Sequence, residues 1–227
     1  MTLGDGPKVW WGSPLGETIH WRAHNALMGV AQSTPFPRLE VPRGTVDEAR
    51  NRMTDLFLRV AGHDDYLVLL DADHLHPKNV VTRLVAQAEA HNFGIVGALA
   101  MMRRPEKPLP MMFMHKGGNK WDVVTEWPEG EIVVVDFVPP CAIAIARWVF
   151  DKLKALDFGP PFWRYVYTFY PEMPKEDFYF AEKCIQAGIP MACDTGLEIP
   201  HLFDGALSST HWRRWQAAHP GEDGQSG

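Results

Sequence analysis

Residues 66–76 read Tyr-Leu-Val-Leu-Leu-Asp-Ala-Asp-His-Leu-His. The first five are apolar without a break and have the length of one strand. A strand with one wet face alternates, whereas an unbroken run is covered on both faces, as in the middle of an α/β sheet. Asp71 and Asp73 follow at its carboxyl end, where open α/β sheets collect ligands. Two carboxylates held together at low exposure repel unless a proton or cation intervenes. Hard oxygen donors suit Mg2+ or Mn2+. Taken alone, the pair reads equally well as a helix cap and a turn. His74 and His76 invite comparison with a Zn2+ pair. The other eight histidines are scattered, however, and His76 reads as a polar loop residue near a helix start.

Outward from this stretch the chain alternates between two periodicities. Upstream, Lys8–Trp11 is a short β-prone run closed by the turn Gly12-Ser13-Pro14. Thr18–Gln32 has helical spacing, with Ile19, Ala23, Ala26, Leu27 and Val30 near one face. Pro35, Pro37 and Pro42 keep residues 33–44 extended or looped. Thr45 and Glu48 form a capping box that opens a helix through about Ala61. Downstream, Pro77 starts a helix to about His91, and Gly94–Met102 is a second apolar strand. Pro105–Gly130 reads as loops or a hairpin, Ile132–Val138 as a strand, and Ala142–Arg147 as a short apolar element. Trp148–Leu156 is helical, and Phe158–Pro174 is a loop rich in proline and aromatic rings. Lys175–Gly188 is a helix ending at a glycine, and Pro190–Asp194 is a last strand. This order predicts an α/β fold with a mostly parallel central sheet flanked by helices.

Two further features carry chemistry. Glu176 and Asp177 open a helix, where carboxylates are stabilised by the N-terminal dipole; that is also their simplest explanation. His201 follows the last strand in Ile199-Pro200-His201. The ordered set of Asp-X-Asp after a hydrophobic strand, Glu-Asp opening a later helix, then Gly-Ile, a strand and a His resembles the GT-A glycosyltransferases. The resemblance is strongest to small bacterial and phage members related to family 2, and it covers about residues 7–203.

The resemblance implies a single GT-A, Rossmann-like domain over residues 1–219, followed by a disordered tail at 220–227. It implies a glycosyltransferase that uses Mn2+ or Mg2+ and a nucleotide-diphosphate sugar as donor. Asp71 and Asp73 resemble the DxD motif that holds metal and nucleotide, and His201 the late His that completes the metal shell. Asp177 is then the general base of an inverting transfer, with Glu176 beside it orienting the acceptor or a loop. Arg50, in Ala49-Arg50-Asn51, would line the nucleotide pocket and pair with the diphosphate. Ser13 would contact the base or ribose. Val138–Ala142 resembles the acceptor floor, although Pro139 and Pro140 depart from the small residues usual there. Trp163, Tyr165 and Tyr167 are candidates for stacking on an acceptor sugar.

Composition narrows the partners. The chain has 227 residues, 22 Lys+Arg against 28 Asp+Glu, and a net charge of −6. A uniformly basic nucleic-acid binder is excluded. No apolar run reaches the ~18 residues of a membrane span. The N-terminus lacks the basic and apolar regions of a signal peptide. Three widely spaced cysteines without a CxxC read as reduced thiols, so the expected location is cytoplasmic. The expected acceptor is a saccharide or small hydroxylated molecule. Modified DNA is a second option, because Trp212-Arg213-Arg214-Trp215 has the residues to stack on bases and grip phosphates; the same four fit an amphipathic helix docked through its Trp rings. Two other functions stay open: a nucleotidyltransferase, disfavoured because residues 12–17 carry no Lys or Arg, and a non-catalytic nucleotide- or carbohydrate-binding protein.

Overall fold

The computed structural model describes residues 8–15, 19–42, 44–104, 106–118, 120–165, 176–202 and 206–220. Tyr167, Lys175 and the 221–227 tail lie outside them. Along the chain the elements are β1 (Val9–Gly12), α1 (Trp21–Ser33), β2 (Arg38–Leu39), α2 (Val46–Val60), β3 (Tyr66–Leu70), α3 (Val80–His91) and β4 (Ile95–Leu99). There follow β5 (Phe113–His115), β6 (Trp121–Val123), β7 (Ile132–Val135), β8 (Ala142–Ala146), α4 (Arg147–Ala155) and α5 (Glu176–Gln186). The chain then forms β9 (Met191–Glu198), β10 (His201–Leu202), β11 (Ala206–Leu207) and α6 (Ser209–Ala218).

Seven strands form one sheet in the order β2-β1-β3-β8-β4-β9-β7. Every residue of β3, β4 and β8 is buried, as unbroken apolar runs require. Helix α2 packs on β2 and β3, α3 on β4, β8 and β9, and α4 on β8 and α5. Five strands run one way, while β8 is antiparallel to both β3 and β4, and β7 is antiparallel to β9. The sheet is thus mostly parallel in strand direction, but its centre is mixed. Apolar periodicity reports burial and carries no sign for strand direction.

The reversed β8 shapes the site. Because Leu70 pairs with Ala142, and Asp71 N donates to the Cys141 carbonyl at 2.8 Å, the Pro139-Pro140-Cys141 loop enters β8 at the edge where β3 leaves. Gly97 on β4 makes room for that approach: a Cβ there would sit 2.7 Å from Val138 Cγ2. The α2 capping box forms with Thr45 and Glu48 as expected. Helix α1 starts later than its periodicity suggests, where His20 Nδ1 accepts from Arg22 N. Helix α3 also starts late, after a turn in which Val80 N donates to the Pro77 carbonyl. All three cysteines are free and buried. No helix among the described residues is long and apolar enough to cross a membrane.

Candidate active site

A cleft of about 690 Å³ opens at the carboxyl end of β3, beside the loop that enters β8. Its wall includes Arg50, Asp71, Asp73, His74, Pro139, Pro140, Tyr165, Glu176, Asp177 and His201. Residues far apart in sequence thus meet on one surface. Each arrives on its own element: Arg50 from α2, the two aspartates from the end of β3, Glu176 and Asp177 from the first turn of α5, and His201 from β10.

Arg50 is almost fully buried and bridges two elements. Its Nη2 donates to both oxygens of Asp71, at 2.9 and 3.1 Å. Its Nη1 donates to Glu176 Oε1, and its guanidinium lies 5.5 Å from the Trp163 ring centroid. Burial alone would lower its pKa, but Asp71, Glu176 and Asp177 outweigh that and raise it. The diphosphate contact expected of Arg50 therefore meets a guanidinium already engaged by two carboxylates. Trp163, expected as a stacking platform, is buried and stacks on Phe180 at 4.2 Å. Tyr165 is the half-exposed ring on the cleft wall.

Asp73 occupies a different environment from Asp71. Its Oδ1 lies 2.6 Å from His74 Nδ1 and its Oδ2 lies 3.1 Å from His201 Nε2. Partial burial pushes its carboxyl up, but the hydrogen bonds and charge of His201 and His74 prevail and hold it well below the usual carboxylate range. The backbones are paired as well: residues 74 and 201 form an antiparallel bridge, Leu202 N donates to Asp73 O at 2.9 Å, and Leu75 N to Pro200 O at 2.9 Å. That pairing stacks the two imidazoles 4.1 Å apart.

Asp73, His74 and His201 bring three potential ligand atoms within 4.8 Å of one another. Asp71, expected among the metal ligands, is outside this group because both its oxygens face Arg50. The cluster suits a divalent cation on one specific ground. His201 Nδ1 faces the Met101 carbonyl at 3.1 Å, so Nδ1 carries the proton. That leaves Nε2 facing the anionic Oδ2 of Asp73. Nε2 and Oδ2 at 3.1 Å need a proton or a cation between them, and a divalent cation can take that place. The separation is also close to the edge of an octahedron with bonds of about 2.1 Å.

Asp177 is buried to 9% exposure on the cleft wall, and its Oδ1 accepts from Phe178 N at 3.0 Å. Ser13 does not reach this cleft. It lines a neighbouring cavity of about 340 Å³ at the ends of β1 and β2, with His24, Leu27, Arg38, Leu39 and Glu40. Its hydroxyl is buried and has no hydrogen-bond partner among the described residues. His76 reads as a loop residue in the sequence, yet it is buried and its Nε2 lies 2.7 Å from the Asp71 carbonyl. Nothing local in the sequence places His74 beside His201. The signal for that is the antiparallel bridge between His74 and His201, two residues far apart in the chain.

No family model matches the sequence, and no curated protein matches it. Solved structures share its fold. A197 from STIV superposes with a TM-score of 0.62 at 15% identity, over 90% of this chain and 91% of that one. GalNAc-T7 with UDP, GalNAc and Mn2+ superposes with a TM-score of 0.56 at 13% identity, over 86% of this chain and 43% of that one. The chain has a GT-A-like fold.

Proposed function

We propose that the protein is a metal-dependent glycosyltransferase that moves a sugar from a nucleotide-diphosphate donor to a hydroxyl acceptor with inversion. The carrying observation is the Asp73, His74 and His201 cluster, with His201 Nε2 facing Asp73 Oδ2, in the cleft that also holds Asp177. Asp73 and His201 would hold Mn2+ or Mg2+, and a divalent cation there supplies Lewis-acid stabilisation of the departing diphosphate. Ser13 and its cavity take the nucleoside end of the donor. Asp177 accepts the acceptor's hydroxyl proton as the acceptor oxygen bonds to the anomeric carbon and the bond from that carbon to the diphosphate oxygen breaks. Arg50 fixes Glu176 and Asp71 in the wall through its two ion pairs; Glu176 orients the acceptor side and Asp177 takes the proton. Support for the donor class comes from the shared fold with a protein crystallised with UDP, GalNAc and Mn2+. The nucleotidyltransferase alternative gains nothing, since Arg50, the cation lining the described cleft, is spent on carboxylates.

Calorimetry with UDP and GDP, with and without Mn2+, tests the metal reading. Nucleotide binding should tighten with Mn2+, and Asp73→Asn or His201→Ala should remove that gain. Equal affinity in EDTA and in Mn2+ would sink the proposal. The role of Asp177 is tested separately. Asp177→Asn keeps a group able to accept from Phe178 N but is no base, so donor binding should stay near wild type while transfer falls by ~10² or more. Undiminished turnover would move the base assignment to Glu176.

A further inference from the structure

We propose that His74 is a positioning residue: its Nδ1–H holds Asp73 Oδ1 and so aims Oδ2 at the cation shared with His201, while His74 itself stays off the metal. The inference rests on the metal reading above and concerns how this chain builds that site. Distance alone does not separate the two histidines, since both rings bring a nitrogen to the Asp73 carboxylate. Their far nitrogens separate them. His201 Nδ1 has the Met101 carbonyl as an acceptor, the arrangement by which a metal-bound imidazole disposes of its remaining proton. His74 has no such acceptor among the described residues: its Nε2 is buried and finds no hydrogen-bond partner there.

If His74 gave its Nδ1 lone pair to a metal, the proton would have to sit on Nε2. That would leave a buried N–H donor unpaired, the less tolerated of the two kinds of orphan. With the proton on Nδ1, His74 donates to Asp73 Oδ1 at 2.6 Å, and what stays unpaired is a single acceptor lone pair. The His74 ring is locked in this pose by its stack on His201 and by the backbone bridge beneath it. The protein then supplies two ligand atoms, Asp73 Oδ2 and His201 Nε2. That leaves most of an octahedral shell for diphosphate oxygens and water, as is usual for Mg2+-type sites.

Mn2+ binding to the full chain without nucleotide decides the matter. Pulsed EPR on wild type should show coupling to one imidazole nitrogen, and His201→Ala should abolish it. His74→Ala should keep that coupling but weaken Mn2+ binding by roughly 10–100-fold, the usual effect of losing an outer partner of a ligand. His74→Asn, whose amide N–H can stand in for Nδ1–H, should recover most of the affinity. Two coupled nitrogens in wild type, or His74→Asn binding as weakly as His74→Ala, would overturn the positioning role and leave the metal reading standing. Absence of Mn2+ binding to wild type would overturn both.

Discussion

At the residue scale, two basic side chains below the cleft surface do opposite things. Arg50 is held charged by the carboxylates around it. His76 is held neutral: burial pushes its pKa from 6.5 down to about 4, against the raising effect of its bond to the Asp71 carbonyl. A His depressed in the folded state takes up its proton more readily once unfolded. Stability is therefore full above about pH 6.5 and falls as the pH drops toward 4, by a total of about 3 kcal/mol if the shift is realised in full. Urea unfolding between about pH 7 and pH 5 should show this slope in wild type. In His76→Gln, whose amide N–H can still donate to the Asp71 carbonyl, the slope should be flatter. Parallel slopes in the two proteins would mean that His76 is not the group responsible.

At the scale of elements, α2 does more than cover β2 and β3. It buries Ala49, Arg50, Met53, Thr54 and Phe57 and uses the neighbouring Asn51 to clamp the segment before α5. Asn51 Oδ1 accepts from Phe162 N and Trp163 N at 3.0 and 3.1 Å, and Nδ2 donates to the Trp163 carbonyl at 2.6 Å. Thr54 Oγ1 donates to the Arg50 carbonyl at 2.8 Å and accepts from Trp163 Nε1 at 3.1 Å. Trp163 is thus fixed under Arg50 and against Phe180 of α5, which connects the helix of Arg50 to the helix of Glu176. Asn51→Ala should lower unfolding free energy by about 2 kcal/mol, because it strands backbone groups that Asn51 now satisfies. Arg52→Ala, one position on, loses an exposed helical ion pair with Glu48 worth under about 0.5 kcal/mol. Similar denaturation midpoints for the two variants would refute the clamp.

At the scale of the whole molecule, local patterning left some features unreadable. The unbroken run at 66–70 predicts β3 with its observed ends, and Thr45 with Glu48 predicts the start of α2, because both signals are local. The reversed direction of β8 is not local: it depends on which neighbours Ala142–Ala146 finds. Arg50 looks like a phosphate ligand in the sequence, since nothing there shows that two carboxylates from β3 and α5 converge on it. His74 was obscured for the same reason. The Trp212–Trp215 segment forms the helix that one of its two readings allowed. Trp212 is buried with its Nε1 donating to the Thr125 carbonyl at 3.3 Å, Trp215 stacks between Trp212 and His219, and Arg213 pairs with Glu129. These contacts dock α6 through its rings and give the DNA option no support.

The bridge between residues 74 and 201 also has a consequence in time. The ribosome releases Asp73 and His74 long before His201, which lies 128 residues beyond Asp73. At ~5–20 residues per second, that gap is on the order of ten seconds of synthesis. Throughout it the emerging chain carries the Asp73 carboxylate but not the His201 imidazole that bonds to it and stacks on His74. The cluster of Asp73, His74 and His201 is therefore closed to the early nascent chain, and its assembly waits for the segment that carries His201.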